Sequence, residues 1–324
     1  MSSEPKYSVI SVEDEDADFE TFELENEHTP QDSHSKRRTF LLTATLFSFA
    51  LLLVLTTTGF VAHTNKSHDG GEEAPTRRVT PTFLFCYGDS LTSGQASIAP
   101  PDKSPGPYPY SVYLEWELNY LIDPESTLAP HHKQAPPTVV HHLGIPGWTA
   151  ENMLNNLNEE HKGLCSVVYR TPVSLLIILV GKNDIHRLTP SDDASKASVI
   201  LSQITELHKA ALECSMDDEK KDFAKGKLHT LALGIPGSLF QDHVPVAAKV
   251  AAEVNSGLKS FAESFPGGKM HYIDFPIPYV NGVGGDGDGS WNEDGIHMTK
   301  KGYDRLAKQL APKVKDILDG MDSD

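Results

Sequence analysis

Short apolar runs alternate with longer helical patterns along most of this chain, and that alternation limits the fold more than any other feature. The third run, SLLIILV, is apolar at every position after its serine, as strands buried on both faces are. The predicted strands are 82–87, 138–143, 174–180, 227–234 and 270–275. The predicted helices are 110–122, 150–161, about 195–214, 244–265 and 299–318. The pattern predicts the α/β class, a three-layer α/β/α sandwich with a five-stranded parallel sheet.

Polar, glycine-bearing clusters follow three of these strands. They are Gly88-Asp89-Ser90 after the first strand, GIPGWT (144–149) after the second and GKND (181–184) after the third. The carboxyl ends of parallel strands meet at one edge of the sheet, where ligands collect in such folds. We therefore expect the three clusters to converge.

Ser90 is a candidate nucleophile at a strand-to-helix junction, where the preceding glycine permits a tight turn. A serine hydroxyl needs a base, and Asp294-Gly295-Ile296-His297 offers one just before the last helix. The three-residue offset lets Asp294 accept the Nδ1–H of His297 and leaves Nε2 free to face Ser90. Two other readings stay open: Ser90 as a turn or N-cap residue, and His297 as a loop histidine beside a capping acid.

Acyl transfer also requires donors for the negative charge that develops on the carbonyl oxygen. The candidates are the backbone N–H groups of Ser90 and Gly144 and the side-chain amide of Asn183. Gly144 is equally compatible with an ordinary strand-to-helix turn, and Asn183 with a turn cap. We expect Asp89 and Asp184 to brace loops without taking part in the chemistry.

Four of these segments together resemble the SGNH or GDSL hydrolase family. They are GDSL (88–91), the glycine of LGIPGWT at 144, GKND (181–184) and DGIH (294–297), in the order that the family has them. The resemblance covers about residues 80–318 and implies a flavodoxin-like fold without metal or organic cofactor. It also implies site roles, namely Ser90 as nucleophile, His297 as base, Asp294 as its orienting acid, and Ser90, Gly144 and Asn183 as the oxyanion hole. Lys182 fills a position that varies in the family and says little about substrate.

The expected activity is that of a serine esterase acting on acyl esters, with small esters, lysophospholipids and acetylated glycans as the candidate substrates. Two alternatives are kept. An O-acyltransferase would use the same site to move an acyl group to a glycan, and a non-catalytic binding module would use only the scaffold. The intact set of site residues disfavours the binding module.

Residues 39–62 form an uncharged apolar run. At roughly 1.5 Å rise per residue the run exceeds a bilayer core of about 30 Å, which predicts one transmembrane helix. Before it lies an acidic tail (1–38), predicted to be disordered and cytosolic, and after it a polar stem (63–79) and the hydrolase domain (80–324). A buried soluble helix and a cleaved signal peptide both fit this run less well.

Three basic residues, Lys36, Arg37 and Arg38, abut the apolar run on its N-terminal side. The positive-inside tendency favours a type II orientation, with the catalytic domain lumenal or extracellular. The formal net charge of −17 argues against a nucleic acid partner, because phosphate binding needs basic patches.

The chain has three cysteines and no CxxC pair, which argues against a zinc or redox motif. A bridge between Cys165 and Cys214 is conceivable in an oxidising lumen, with Cys86 in a buried strand. The loop GGDGDGSWNEDG (284–295) lacks the glycine position of a calcium loop and is predicted to be a flexible rim, with Trp291 as a candidate substrate contact. The histidine pairs 131–132 and 141–142 lack a third ligand and are predicted to be structural or surface residues.

Overall fold

The computed structural model describes residues 81–96, 106–122, 138–193, 195–216, 228–279, 287 and 289–321. Five parallel strands form one sheet in the spatial order β2-β1-β3-β4-β5. The strands are β1 (Thr82–Gly88), β2 (Thr138–Gly144), β3 (Leu175–Leu179), β4 (His229–Leu233) and β5 (Met270–Ile273). The predicted five-stranded parallel sheet is confirmed, and the strand order is the flavodoxin-like one.

Ten helices lie among the described residues. In chain order they are α1 (Ser90–Ser93), α2 (Tyr110–Ile122), α3 (Ala150–Asn155), α4 (Leu164–Arg170), α5 (Lys182–His186), α6 (Ser195–Met216), α7 (Leu239–His243), α8 (Pro245–Ser264), a short 3₁₀ helix (Pro266–Gly268) and α9 (Lys300–Met321). The short helices α1, α5 and α7 each follow a strand closely, and all three begin on the edge where the polar clusters were expected.

The sheet is covered on both faces. Alternate residues of β1 point to opposite sides, so that Phe85 and Tyr87 join one core and Leu84 and Cys86 join the other. The first core is closed by α3, α4, α6 and α8, and the second by α2 and α9. The central strand β3 is buried at every residue, as its uninterrupted apolar run predicted.

The prediction of one helix over 150–161 was wrong in its extent. The helix ends at Asn155, and a second helix, α4, begins at Leu164. The Asn156 side chain donates to the carbonyl oxygen of Asn152 at 2.8 Å, the acceptor that a continuing helix would give to the backbone N–H of residue 156. Asparagine side chains compete with the backbone in this way, so the asparagine-rich sequence ends the helix early.

Cys165 of α4 and Cys214 of α6 are joined in a disulfide across a sequence separation of 49. Cys86, on β1, is a buried free thiol. Both observations agree with the arrangement that the sequence made conceivable.

The predicted transmembrane helix (39–62), with its tail and stem, lies outside the described residues. Among the residues that are described, none of the helices is both long and apolar enough to cross a bilayer.

Candidate active site

Ser90, His297 and Asp294 form a continuous hydrogen-bonded chain. The Oγ atom of Ser90 lies 3.0 Å from Nε2 of His297, although the two residues are 207 positions apart in sequence. Nδ1 of His297 lies 2.9 Å from Oδ2 of Asp294. The structure therefore brings together the three side chains that the sequence singled out as nucleophile, base and orienting acid.

Asp294 is fixed by its own backbone neighbourhood. Its Oδ1 atom accepts hydrogen bonds from the backbone N–H groups of Ile296 and His297, each at 2.9 Å. Burial raises the pKa of Asp294, but the hydrogen bonds from the side chain and backbone of His297 and from Ile296 outweigh burial and hold that pKa below its ordinary value. An ionised Asp294 accepts a hydrogen bond from Nδ1–H of His297 and so favours the tautomer whose Nε2 can accept the O–H of Ser90.

Ser90 is presented by a tight turn at the end of β1. Asp89 caps α1, because its Oδ1 atom accepts the backbone N–H of Leu91 at 2.9 Å. Gly144, at the end of β2, packs directly against this turn: a Cβ atom there would lie 2.0 Å from the backbone nitrogen of Ser93. Only glycine allows the end of β2 and the short helix α1 to approach so closely, which places the backbone of Gly144 beside the segment that carries Ser90.

Asn183 is the second residue of α5, which follows Gly181, and the φ of 107° at Gly181 belongs to the left-handed region that favours glycine. One hydrogen of its side-chain amide is donated to the carbonyl oxygen of Trp148, at an Nδ2–O distance of 2.9 Å. The neighbouring Asp184 accepts the backbone N–H of Ala150 through Oδ2 at 3.1 Å. These two bonds tie the turn after β3 to the loop after β2, so Asp184 braces loops as expected.

The arrangement can perform acyl transfer. It holds a hydroxyl within hydrogen-bond distance of an imidazole nitrogen, with the imidazole oriented by a carboxylate. The Asn183 amide keeps a second hydrogen that Trp148 does not take, and the turns carrying Ser90, Gly144 and Asn183 all end at the same edge of the sheet. After β1 the chain adds β2 on one side of that strand and then crosses to add β3 on its other side. The carboxyl ends of strands on either side of such a topological switch point are the usual ligand site of these sheets.

The sequence interpretation missed the loop after β4. Residues 234–238 read GIPGS, close to the GIPGW at 144–148, and they follow a strand in the same way. The backbone N–H of Leu239 donates to the carbonyl oxygen of Gly295 at 3.1 Å, so this loop supports the segment that carries Asp294 and His297. The rule that selected the other three clusters could have selected this one too.

Lys182 was also missed as a structural element of the site. Its side chain is only 2% exposed, and its ammonium donates to the carbonyl oxygens of Pro236 at 3.1 Å and Gly237 at 2.9 Å. No sequence signal identifies a lysine as buried, because this residue type is almost always solvated.

Trp291 does not line a rim as predicted. It is 2% exposed, its Nε1–H donates to the carbonyl oxygen of Pro278 at 3.0 Å, and its ring packs against Phe275 and Tyr279. The indole is part of the core beneath α9 and has no free face for a substrate. The error came from reading glycine-rich surroundings as exposure.

Of the two histidine pairs, only 141–142 lies among the described residues. Nδ1 of His142 lies 2.8 Å from the hydroxyl of Ser111. Among the described residues no three His, Cys, Asp or Glu side chains are grouped so as to hold a metal ion.

The model of the GDSL-like lipase/acylhydrolase family matches residues 86–305, more than half of the chain. The protein belongs to this family and is a carboxylic ester hydrolase. A search among curated proteins gives no significant match.

Solved structures of two esterases share the fold. One is Est24, a carbohydrate acetylesterase from Sinorhizobium meliloti, at 18% sequence identity and a TM-score of 0.50, over 73% of this chain and 99% of that one. The other is an aryl esterase from M. smegmatis, at 19% identity and a TM-score of 0.50, over 72% of this chain and 99% of that one. At these identities the likeness concerns the fold.

Proposed function

We propose that the protein is a membrane-anchored serine esterase in which Ser90 is the nucleophile, His297 the general base and Asp294 the orienting acid. The single observation that carries the proposal is the unbroken chain from the Ser90 hydroxyl through His297 to Asp294, with contacts of 3.0 and 2.9 Å. These contacts join residues from opposite ends of the domain, and a turn serine with only a local role does not require an imidazole partner.

In the acylation step the Ser90 O–H proton passes to Nε2 of His297 as Oγ attacks the ester carbonyl carbon. The tetrahedral oxyanion accepts hydrogen bonds from the backbone N–H groups of Ser90 and Gly144 and from the Asn183 amide. The imidazolium is stabilised by Asp294 and then protonates the departing alcohol. An acyl group on Ser90 remains.

Deacylation uses the same proton transfers through His297, with water in place of Ser90 as the attacking group. His297 accepts a proton from water as the water oxygen attacks the acyl carbon, and when the intermediate collapses, the bond from that carbon to Oγ breaks and the imidazolium returns the proton to Oγ of Ser90. The products are a carboxylic acid and the free enzyme. If a sugar hydroxyl replaced water, the same steps would give the O-acyltransferase alternative.

The test is hydrolysis of p-nitrophenyl acetate by the wild-type protein and by Ser90→Ala. We expect the substitution to reduce kcat by at least about 1000-fold, since it removes the attacking atom, with a thermal melt close to that of the wild type. Ser93→Ala is the matched control, because that hydroxyl lies in the same short helix and bonds to the carbonyl oxygen of Ser90. Full activity in Ser90→Ala would remove Ser90 from its role.

Product analysis separates the alternatives. Acid release in the presence of added carbohydrate supports the esterase, whereas transfer of the acyl group to that carbohydrate would make the protein an O-acyltransferase. Turnover of no ester would favour the binding module. Small esters, lysophospholipids and acetylated glycans are the substrates to compare, and an acetylated sugar is included because a carbohydrate acetylesterase shares the fold.

We further propose the domain layout and location expected from the sequence. Residues 1–38 are a cytosolic tail, 39–62 the membrane helix, 63–79 the stem and 80–324 the catalytic domain, on the lumenal or extracellular side. The Cys165–Cys214 disulfide supports this orientation, because such bonds persist in oxidising compartments. Protease treatment of intact microsomes should spare a C-terminal tag and remove an N-terminal one, and the reverse pattern would contradict the orientation.

A further inference from the structure

Lys182 places its side-chain amino group where burial makes a positive charge costly. Its side chain is 2% exposed, and the two atoms that accept from its ammonium, the carbonyl oxygens of Pro236 and Gly237, are neutral. Burial lowers the pKa of Lys182 to about 7, and the carboxylates of Asp89 and Asp294 oppose that shift. A methionine of similar size would fill this space without the desolvation cost, so the ammonium needs a specific reason to be here.

The two accepting carbonyls belong to the loop between β4 and α7. Two residues further on, Leu239 donates its backbone N–H to the carbonyl oxygen of Gly295 at 3.1 Å. Gly295 lies inside the segment that presents Asp294 and His297. On its own side, Lys182 immediately precedes Asn183, the proposed oxyanion donor. One ammonium therefore connects the turn that carries the oxyanion amide to the loop that supports the base and its acid.

Asp89 explains why a cation suits this place. The carboxyl group is fully buried beside Ser90, and its Oδ2 atom has no hydrogen-bond partner among the residues described. Burial raises the pKa of Asp89 to about 7, while the Leu91 N–H and the charge of Lys182 oppose the rise. A buried carboxyl group with one unpartnered oxygen is stabilised by a nearby positive charge.

We propose that Lys182 is a positioning residue for catalysis: its ammonium holds the turn of Asn183 against the loop after β4 and so fixes the oxyanion amide relative to the His297–Asp294 pair. The inference rests on the proposed function, in which Ser90 is the nucleophile. Lys182 acts through Asn183 and His297 without touching the ester.

The first residue of the loop between β4 and α7 that matters here, Ile235, is held by contacts other than Lys182. The contact of Lys182 with Pro236 and Gly237 can therefore be removed without unfolding the protein. The Asn255 side chain accepts the backbone N–H of Ile235 at 2.7 Å and donates to the carbonyl oxygen of Ile235 at 3.0 Å. Removing the ammonium therefore frees the carbonyls of Pro236 and Gly237 while the loop stays anchored at residue 235.

The experiment compares Lys182→Met with the full-length wild type and with Lys308→Met, an exposed lysine paired with Asp304 on the surface. Active serines are counted with a fluorophosphonate probe, so that kcat is expressed for each reactive site. We expect kcat of Lys182→Met to fall by roughly 10- to 100-fold, with KM within about twofold of the wild type, because misplaced groups cost turnover more than ground-state binding. Lys308→Met should match the wild type.

A double-mutant cycle distinguishes positioning from a general effect. If Lys182 works partly through Asn183, Lys182→Met should cost much less in an Asn183→Ala background than in the wild type. Lys182→Gln, which keeps a donor without the charge, is judged by the same criterion if the methionine variant does not fold.

Three results would overturn the inference. One is an unchanged kcat for each labelled serine, with only the melting temperature or the number of labelled serines reduced. Another is a double-mutant cycle in which the fold-reductions in kcat caused by Lys182→Met and by Asn183→Ala simply multiply, because the two side chains are then not coupled. The third is a wild-type protein that neither labels at Ser90 nor hydrolyses esters, and this result differs from the others because it first removes the proposed function itself.

Discussion

At the scale of single residues, the proposed mechanism makes the reactivity of Ser90 depend on its neighbours. In that mechanism the hydroxyl is a nucleophile only while Nε2 of His297 is unprotonated, and the bond from Nδ1 to Asp294 favours the tautomer in which it is. The same carboxylate accepts two backbone N–H groups through its other oxygen, so its orientation does not depend on the imidazole alone. The acid is therefore the residue whose removal tests the hydrogen-bonded chain most selectively.

Asp294→Asn should lower kcat by roughly 1000-fold or more, because an amide at this position allows the imidazole to present the wrong tautomer to Ser90. The melting temperature should change far less than the activity. Steady-state kinetics with p-nitrophenyl acetate measures the effect, and Asp193→Asn serves as the control, since that carboxylate caps α6 on the surface. A loss of less than tenfold would show that orientation by Asp294 is dispensable.

At the scale of elements, the site is an assembly of strand ends and the turns that follow them. Gly144 illustrates how closely these parts meet, since a Cβ atom at that position would lie 2.0 Å from the nitrogen and 2.5 Å from the Cα atom of Ser93. Both of those atoms belong to backbone, which cannot rotate away. The turn of α1 and the end of β2 are therefore positioned by mutual contact.

Gly144→Ala should displace α1 and reduce kcat by about 100-fold, since small displacements of a reacting group cost that much. The free energy of unfolding should fall by about 1–3 kcal/mol, the usual cost of overpacking. Gly147→Ala is the matched control in the same loop: its φ of 78° makes an alanine strained, but nothing lies within 4 Å of the added carbon. We expect that variant to lose some stability and keep its turnover, and equal kcat losses in both would contradict the contact argument.

The sequence allowed much of this assembly to be predicted, because its signals are local and carried by residue type. Apolar runs defined all five strands, and Ser90, Asn183 and His297 lay in short segments just after strands or before the last helix. The failures have physical causes as well. The helix from Ala150 was predicted to be too long because the prediction did not consider that the Asn156 side chain bonds to the backbone and ends it. Lys182 was not selected because the sequence around a buried lysine does not differ from that around an exposed one.

At the scale of the whole molecule, the interior contains titratable groups that link folding to pH. His208, in α6, is fully buried, and neither of its ring nitrogens has a hydrogen-bond partner in the part of the chain that the structure describes. Burial lowers the pKa of His208 to about 3 from an ordinary value of 6.5. Between these values the unfolded chain binds a proton at His208 that the folded chain does not, so the contribution of His208 to the free energy of unfolding falls as pH falls from 6.5 toward 3.

His208→Leu should flatten this dependence, because leucine fills a similar volume and does not titrate. We expect the slope of unfolding free energy against pH, measured by urea unfolding between pH 4 and 6, to decrease by up to about 1.4 kcal/mol per pH unit. Half-buried His186, whose pKa is lowered to about 4 by burial and by the charge of Lys182, keeps a residual slope in the same direction. Identical slopes in the two proteins would show that His208 is not the group responsible.

The whole account depends on one nucleophile at the edge of one sheet, and covalent labelling tests it most directly. The full-length protein is treated with a fluorophosphonate probe and digested, and the modified peptide is located by mass spectrometry. The account predicts a single adduct on Ser90 in the wild type, lost on heat denaturation before labelling and strongly slowed in His297→Ala. Continued ester hydrolysis by a protein whose Ser90 carries no adduct, or an adduct on a different serine, would contradict it.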